Sequence, residues 1–149
     1  MQHAGLGMTV WSPLAGGFLR GKYTRENLEA KENRLSGFDL LPYDKEFGFK
    51  LVEKLREIGK RKEASVAQIS LAWLLAKPVV SSIIIGATKL HQLEDNLKAV
   101  NVRLTDAEIA ELDNMTAPPP IYPNWFNVHT TDLNHKQALG GTPVINSGV

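Results

Sequence analysis

The order of apolar and polar positions divides the chain into a small set of elements. Residues 79–85 form a β-branched run, VVSSIII, that stops at Gly86, and its length and composition predict a strand buried on both faces. From Ala87-Thr88 the pattern changes. Leu90, Leu93, Leu97 and Val100 recur at spacings of three and four, which predicts a helix with one buried face. A strand thus feeds through a glycine turn into a helix N-terminus with Lys89 in its first turn. Free backbone N–H groups and the helix dipole at such a junction attract anions, phosphate above all.

Upstream, residues 2–7 read as the last turn of an element ending on Gly5 and Gly7, and residues 8–11, MTVW, as a short strand that Ser12-Pro13 closes. Residues 14–22, LAGGFLRGK, are a glycine-rich loop. Residues 23–42 are a long polar excursion with a helical turn near 26–31. Residues 44–62 predict an amphipathic helix with Phe47, Leu51, Leu55 and Ile58 on one face. Ser65 and Gln68 form a capping-box pattern opening a helix that is apolar nearly all round, which Pro78 stops. Residues 102–104 connect to a second capping box, Thr105 with Glu108, whose helix turns Ile109 and Leu112 inward. From Ala117 the chain is proline-rich, and residues 128–149, without periodicity, are expected to be a mobile tail. Strand–helix alternation predicts parallel strands joined by crossovers. Only two strands are visible, too few to shield a sheet face, so the chain reads as part of a larger sheet.

Composition narrows the function classes. With 149 residues, 43% hydrophobic and 22% charged, the chain suits one soluble domain. A net charge of +1 carries no nucleic-acid footprint. No run reaches the ~18 apolar residues of a membrane span, and the N-terminus lacks the basic start and apolar core of a signal peptide. The absence of cysteine excludes disulfides, thiolate catalysis and Cys-based zinc sites. A cytoplasmic protein is the expectation.

Gly16-x-x-x-x-Gly21-Lys22 matches most of a P-loop and follows a strand. Tyr23, however, stands where a Mg²⁺-binding Ser or Thr is required, Phe18-Leu19-Arg20 is bulky, and no apolar strand ends in Asp. A loop that lets backbone approach a phosphate is favoured over an NTPase. Gly5-x-Gly7 precedes its strand, so it is no dinucleotide fingerprint. The four histidines never fall at i, i+4 spacing, and no metal site is expected; His91 belongs to a solvent face. Trp73 reads as core, and Trp125 as a packing anchor or part of a substrate lid.

Two ordered segments resemble a known family. Trp11-Ser12-Pro13-Leu14-Ala15-Gly16-Gly17 with Gly21-Lys22-Tyr23 is similar to the loop after the seventh strand of aldo-keto reductases. Ile85-Gly86-Ala87-Thr88-Lys89 with Gln92, Asp95 and Asn96 resembles their eighth strand and following helix. Ala67-Gln68 and Leu71-Ala72-Trp73 resemble the helical layer between. The likeness spans residues 2–127 and is closest to the bacterial and potassium-channel-β-like branch. It implies an α/β fold, a partial TIM (β/α)8 barrel comprising the last two βα units plus a C-terminal helix and tail, from a fold that typically needs about 250 residues. It also implies NADP(H): Ser12, Leu14 and Gly16 along the nicotinamide-to-pyrophosphate path, and Lys22 and Arg34 on the pyrophosphate. Gly86 would form the turn, Thr88 and Lys89 would hold the 2′-phosphate, and Gln92, Asp95 and Asn96 would reach the adenosine end. The family's catalytic Asp, Tyr, Lys and His have no counterpart here, so no catalytic residue is assigned. The resemblance implies a truncated reductase segment, inactive as a lone chain. The alternatives are a self-assembling module that pairs strand edges into a homo-oligomer or with a complementing barrel fragment, and an enzyme with different chemistry at an inter-subunit site.

Overall fold

A computed structural model describes residues 5–25 and 44–118 of the protein. In chain order these form β1 (Met8–Val10), a 3-10 segment (Ala15–Arg20), α1 (Lys45–Lys62), α2 (Val66–Leu75), β2 (Val80–Ile83), α3 (Leu90–Leu97) continued by a 3-10 turn (Lys98–Asn101), and α4 (Asp106–Thr116). The two strands pair in parallel, as the alternation predicts, with both α1 and α2 in their connection. Met8 faces Val80, Thr9 faces Ser82 and Val10 faces Ile83, so the ladder is irregular between Met8 and Thr9 and skips Ser81. Backbone bonds from Met8 N–H to Val79 O (2.7 Å) and from Ile84 N–H to Val10 O (2.9 Å) extend the pairing at both ends.

Three of the four α-helices start where the sequence offers an acceptor. Asp44 caps α1, accepting from the N–H groups of Glu46 (2.9 Å) and Phe47 (3.2 Å). Lys60, Arg61 and Lys62 occupy its last turn, where cations complement the dipole. Leu51, Leu55 and Ile58 are buried along its inner face, and Phe47 is half-buried. The Thr105–Glu108 box of α4 is complete: Thr105 N–H donates to Glu108 Oε2 (2.9 Å) and Glu108 N–H to Thr105 Oγ1 (3.2 Å). At α2 only half of the box forms. Ser65 Oγ accepts from Gln68 N–H (3.1 Å), while the Gln68 side chain turns to Asp95.

The main core lies among α1, α2 and α4, where Leu55, Ile58, Ile69 and Leu112 are fully buried together. Burial of each such side chain contributes about 1.5–3 kcal/mol. Trp73 sits half-buried at its margin. Its indole N–H donates to Asp113 Oδ1 (2.7 Å), and the Lys77 ammonium pairs with the same carboxylate, tying the end of α2 to α4. A second cluster, Phe18, Tyr23, Phe49 and Val52, joins the 3-10 segment to α1.

Three expectations need correction. β2 is shorter than residues 79–85, and Ser81 and Ser82 are exposed instead of buried on both faces. Among the described residues each strand has one neighbour, and one neighbour cannot cover both faces. Helix α3 begins at Leu90 instead of Ala87-Thr88, with Lys89 as its N-cap. Its leucine face is not buried: Leu90 is 71% exposed, and Leu93, Leu97 and Val100 are also exposed. The buried residues here are Asn96 and Ala99. Periodicity marks which face is apolar but not what covers it. Finally, residues 14–22 are not wholly irregular, since they contain the 3-10 segment. The helical turn at 26–31, Trp125, the boundary at residue 127 and the tail 128–149 lie outside the described residues.

Leu55→Ala is expected to lower stability by about 2–5 kcal/mol, through lost burial and the cavity left behind, in urea denaturation at neutral pH. Burial pushes the Glu108 carboxyl up, but the Thr105 N–H and the Lys62 ammonium outweigh this and hold it below its ordinary 4.5. A carboxylate with a depressed folded pKa stabilises above its unfolded value and loses that contribution as pH falls through its folded one. The urea midpoint should therefore drop as pH is taken below about 4.5, and Glu108→Gln should shrink the drop.

Candidate functional site

Parallel pairing sends the chain out of β1 and β2 on the same side, and the two following segments meet there. Between them opens a cavity of about 430 Å³. Ser12, Leu14, Gly16 and Lys22 line it from the β1 side, and Gly86, Thr88, Gln92 and Asn96 from the β2 side. Ligands of open α/β sheets bind beyond the carboxyl ends of the strands, which is where this cavity lies.

The β1 wall is a strained loop held from behind. Ser12 (φ 51°) and Ala15 (φ 47°) adopt left-handed backbone without being glycine, at a cost of about 1–3 kcal/mol each. Gly16 (φ 66°) and Gly17 (φ 96°) continue the same bend, which side chains with a Cβ resist. What over-determines this path is packing. Phe18 inserts beside Tyr23, Phe49 and Val52, its ring centroid 5.2 Å from that of Phe49. A Cβ at Gly48 would lie 2.7 Å from Phe18 Cε1, so α1 offers its bare backbone as the seat. Ser70 Oγ donates to Leu19 O (3.2 Å) and Arg56 Nη2 to Gly21 O (3.1 Å). The turn is closed internally by Ala15 N–H to Ser12 O (3.0 Å) and Gly17 N–H to Leu14 O (2.8 Å).

The β2 wall is the start of α3. Its N-cap Lys89 makes no side-chain capping bond, so the positive end of the helix lacks an internal acceptor of that kind. Asn96, 3% exposed, lines the cavity, and its Oδ1 has no hydrogen-bond partner among the described residues. Buried acceptors are nearly always satisfied. An orphan carbonyl in a cavity wall suits a donor arriving on a ligand.

Eight of the predicted positions are therefore brought together. Lys89 is exposed and does not line the cavity, although it adjoins Thr88. Asp95 does not line it either. Its Oδ2 accepts from Ser65 Oγ (2.8 Å) and its Oδ1 from Gln68 Nε2 (2.6 Å), clamping α3 to α2 beside Asn96. Arg34 lies outside the described residues. The sequence reading did not single out Arg20 as a site residue, although it lines the cavity with Lys22. A second basic residue between the loop glycines was the available signal. Among the described residues no group of three His, Cys, Asp or Glu side chains is placed to hold a metal ion, and no helix is long and apolar enough to cross a membrane.

Residues 1–117 match the Aldo/keto reductase family, and the chain belongs to that family. Three relatives illustrate its range. A probable voltage-gated potassium channel subunit beta of Oryza sativa subsp. japonica is 41% identical over 105 residues, covering 66% of this chain and 31% of the relative. The uncharacterized oxidoreductase YrpG of Bacillus subtilis is 40% identical over 116 residues, covering 78% and 33%. The L-glyceraldehyde 3-phosphate reductase of Escherichia coli K12 is 32% identical over 123 residues, covering 78% and 35%. The chain thus spans about a third of the length of these relatives. The family fold is a TIM barrel, and the described residues form a small α/β unit with an open two-stranded sheet.

Asp95→Ala should destabilise the fold by about 1–3 kcal/mol in urea, because it strands Gln68, itself buried, without its acceptor. Asp95→Asn, which keeps an acceptor oxygen, should cost less.

Proposed function

We propose that this chain carries part of the NADP(H)-binding surface of an NADPH-dependent carbonyl oxidoreductase, and that its two strands correspond to the last two βα units of the family barrel. The observation that carries the reading is the orphan Asn96 Oδ1, buried in a cavity wall opposite a bent loop bearing Lys22. Ser12, Leu14 and Gly16 form the path for the nicotinamide end, and Lys22, with Arg34, neutralises the pyrophosphate. Thr88 and Lys89, at the uncapped start of α3, take the 2′-phosphate. Gln92 and Asn96 hydrogen-bond the adenosine end, with Gly86 leaving room at the turn. Asp95 serves that end by fixing α3. When bound, NADPH supplies a hydride for a carbonyl carbon. With no segment matching the family's catalytic Asp, Tyr, Lys and His, this cytoplasmic chain alone offers no positioned acid for the carbonyl oxygen and grips the cofactor without turnover.

A second reading is favoured by the exposed apolar face of α3 and by strands with a single neighbour. Large apolar patches on soluble proteins mark association surfaces, and open edges invite pairing. On this reading a second copy, or a complementing barrel fragment, covers them.

Titration of the full chain with NADPH, followed by nucleotide fluorescence, should saturate and be weaker with NADH. Lys89→Ala should weaken NADPH about tenfold, the loss of one charged hydrogen bond, and NADH little; equal effects on both would remove the 2′-phosphate assignment. Light scattering should give a particle larger than 16.5 kDa, and a monodisperse monomer with cooperative unfolding would refute the assembly reading.

A further inference from the structure

The charge inventory of the cavity is one-sided. Arg20 and Lys22 both line it, and among the described residues no Asp or Glu does. Lys22 is steadied by the Tyr23 ring, its ammonium 4.6 Å from the ring centroid. Arg20 differs from Arg25 and Arg56. Arg25 is paired with Glu46 and Arg56 donates to Gly21 O, whereas Arg20 makes no hydrogen bond or ion pair among the described residues. The two basic stems straddle one bare stretch of backbone: a Cβ at Gly17 would lie 3.9 Å from Arg20 Cδ and 3.9 Å from Lys22 Cε. Gly17 itself lines the cavity.

We propose that Arg20 and Lys22 grip a diphosphate group across Gly17, with Arg20 as a second phosphate ligand of this chain. The proposal rests on the reading that the cavity holds a dinucleotide. A diphosphate diester carries two negative charges, and among the described residues Lys22 and Arg20 are the two cations that line the cavity. The guanidinium fork matches phosphate oxygens two at a time, which an ammonium cannot do. Gly17, without a side chain, leaves the space between the stems to the anion. Because Arg20 makes no hydrogen bond or ion pair among the described residues, its removal should change binding more than stability.

The test is calorimetric titration of the full chain and of Arg20→Gln with three probes, namely inorganic pyrophosphate, NADPH and 2′-AMP, with thermal melts as the folding control. Arg20→Gln should bind pyrophosphate and NADPH about tenfold more weakly, bind 2′-AMP unchanged, and melt like the parent. Arg20→Lys should recover part of the loss. Unchanged pyrophosphate affinity in Arg20→Gln overturns the proposal even if NADPH binds. Arg20-dependent pyrophosphate binding by a chain that ignores NADPH keeps the subsite and overturns the dinucleotide reading. A parent chain that binds neither overturns both.

Discussion

The site depends on one packing contact, Phe18 against the bare backbone of Gly48. The loop after β1 contains two non-glycine residues in left-handed conformation, and such a path persists only where its surroundings leave it no alternative. Phe18 is the anchor that removes the alternatives. It draws the 3-10 segment onto α1, and Ser70 and Arg56 bond the carbonyls of Leu19 and Gly21, which follow it in the loop. The shape of this cavity wall is thus set by contacts with the helices behind it, within the fold itself.

The opposite wall is held by different physics. Where α3 meets α2 the contact is polar, with the Asp95 carboxylate receiving Ser65 and Gln68. Hydrogen bonds to a charged acceptor are stronger and more directional than apolar contact, so they set the rotation of α3 about its axis. That rotation turns Asn96 into the cavity and sends Leu90, Leu93, Leu97 and Val100 outward. The same clamp therefore explains both the orphan acceptor in the site and the apolar face outside it.

Membership of the Aldo/keto reductase family and coverage of about a third of its curated relatives give these features a common setting. Gripping a nucleotide and protonating a carbonyl are separable tasks, because the first needs cations and backbone placed along an extended ligand, while the second needs an acid at one atom. The described walls bring together backbone, two cations and an orphan acceptor, the kinds of group that the first task uses. Among the described residues the sheet is open and the leucine face of α3 is uncovered.

The sequence by itself determined what is local. The caps Ser65 and Thr105, the inner face of α1 and the parallel pairing all follow from patterns within a few residues or from the alternation of elements. The two segments that line the cavity were legible as well, since each combines a strand end with a glycine turn. Tertiary structure decided everything that needed a partner from a distant segment. Ser65–Gln68 looked like a closed box until Asp95, 27 residues beyond Gln68, claimed the glutamine. Asp95, which the family resemblance put at the adenosine end, accepts from Ser65 and Gln68 and does not line the cavity. The leucines of α3 looked buried because periodicity reports the difference between two faces of a helix, whereas burial depends on which face meets a neighbour, and that is fixed only when α3 docks on α2.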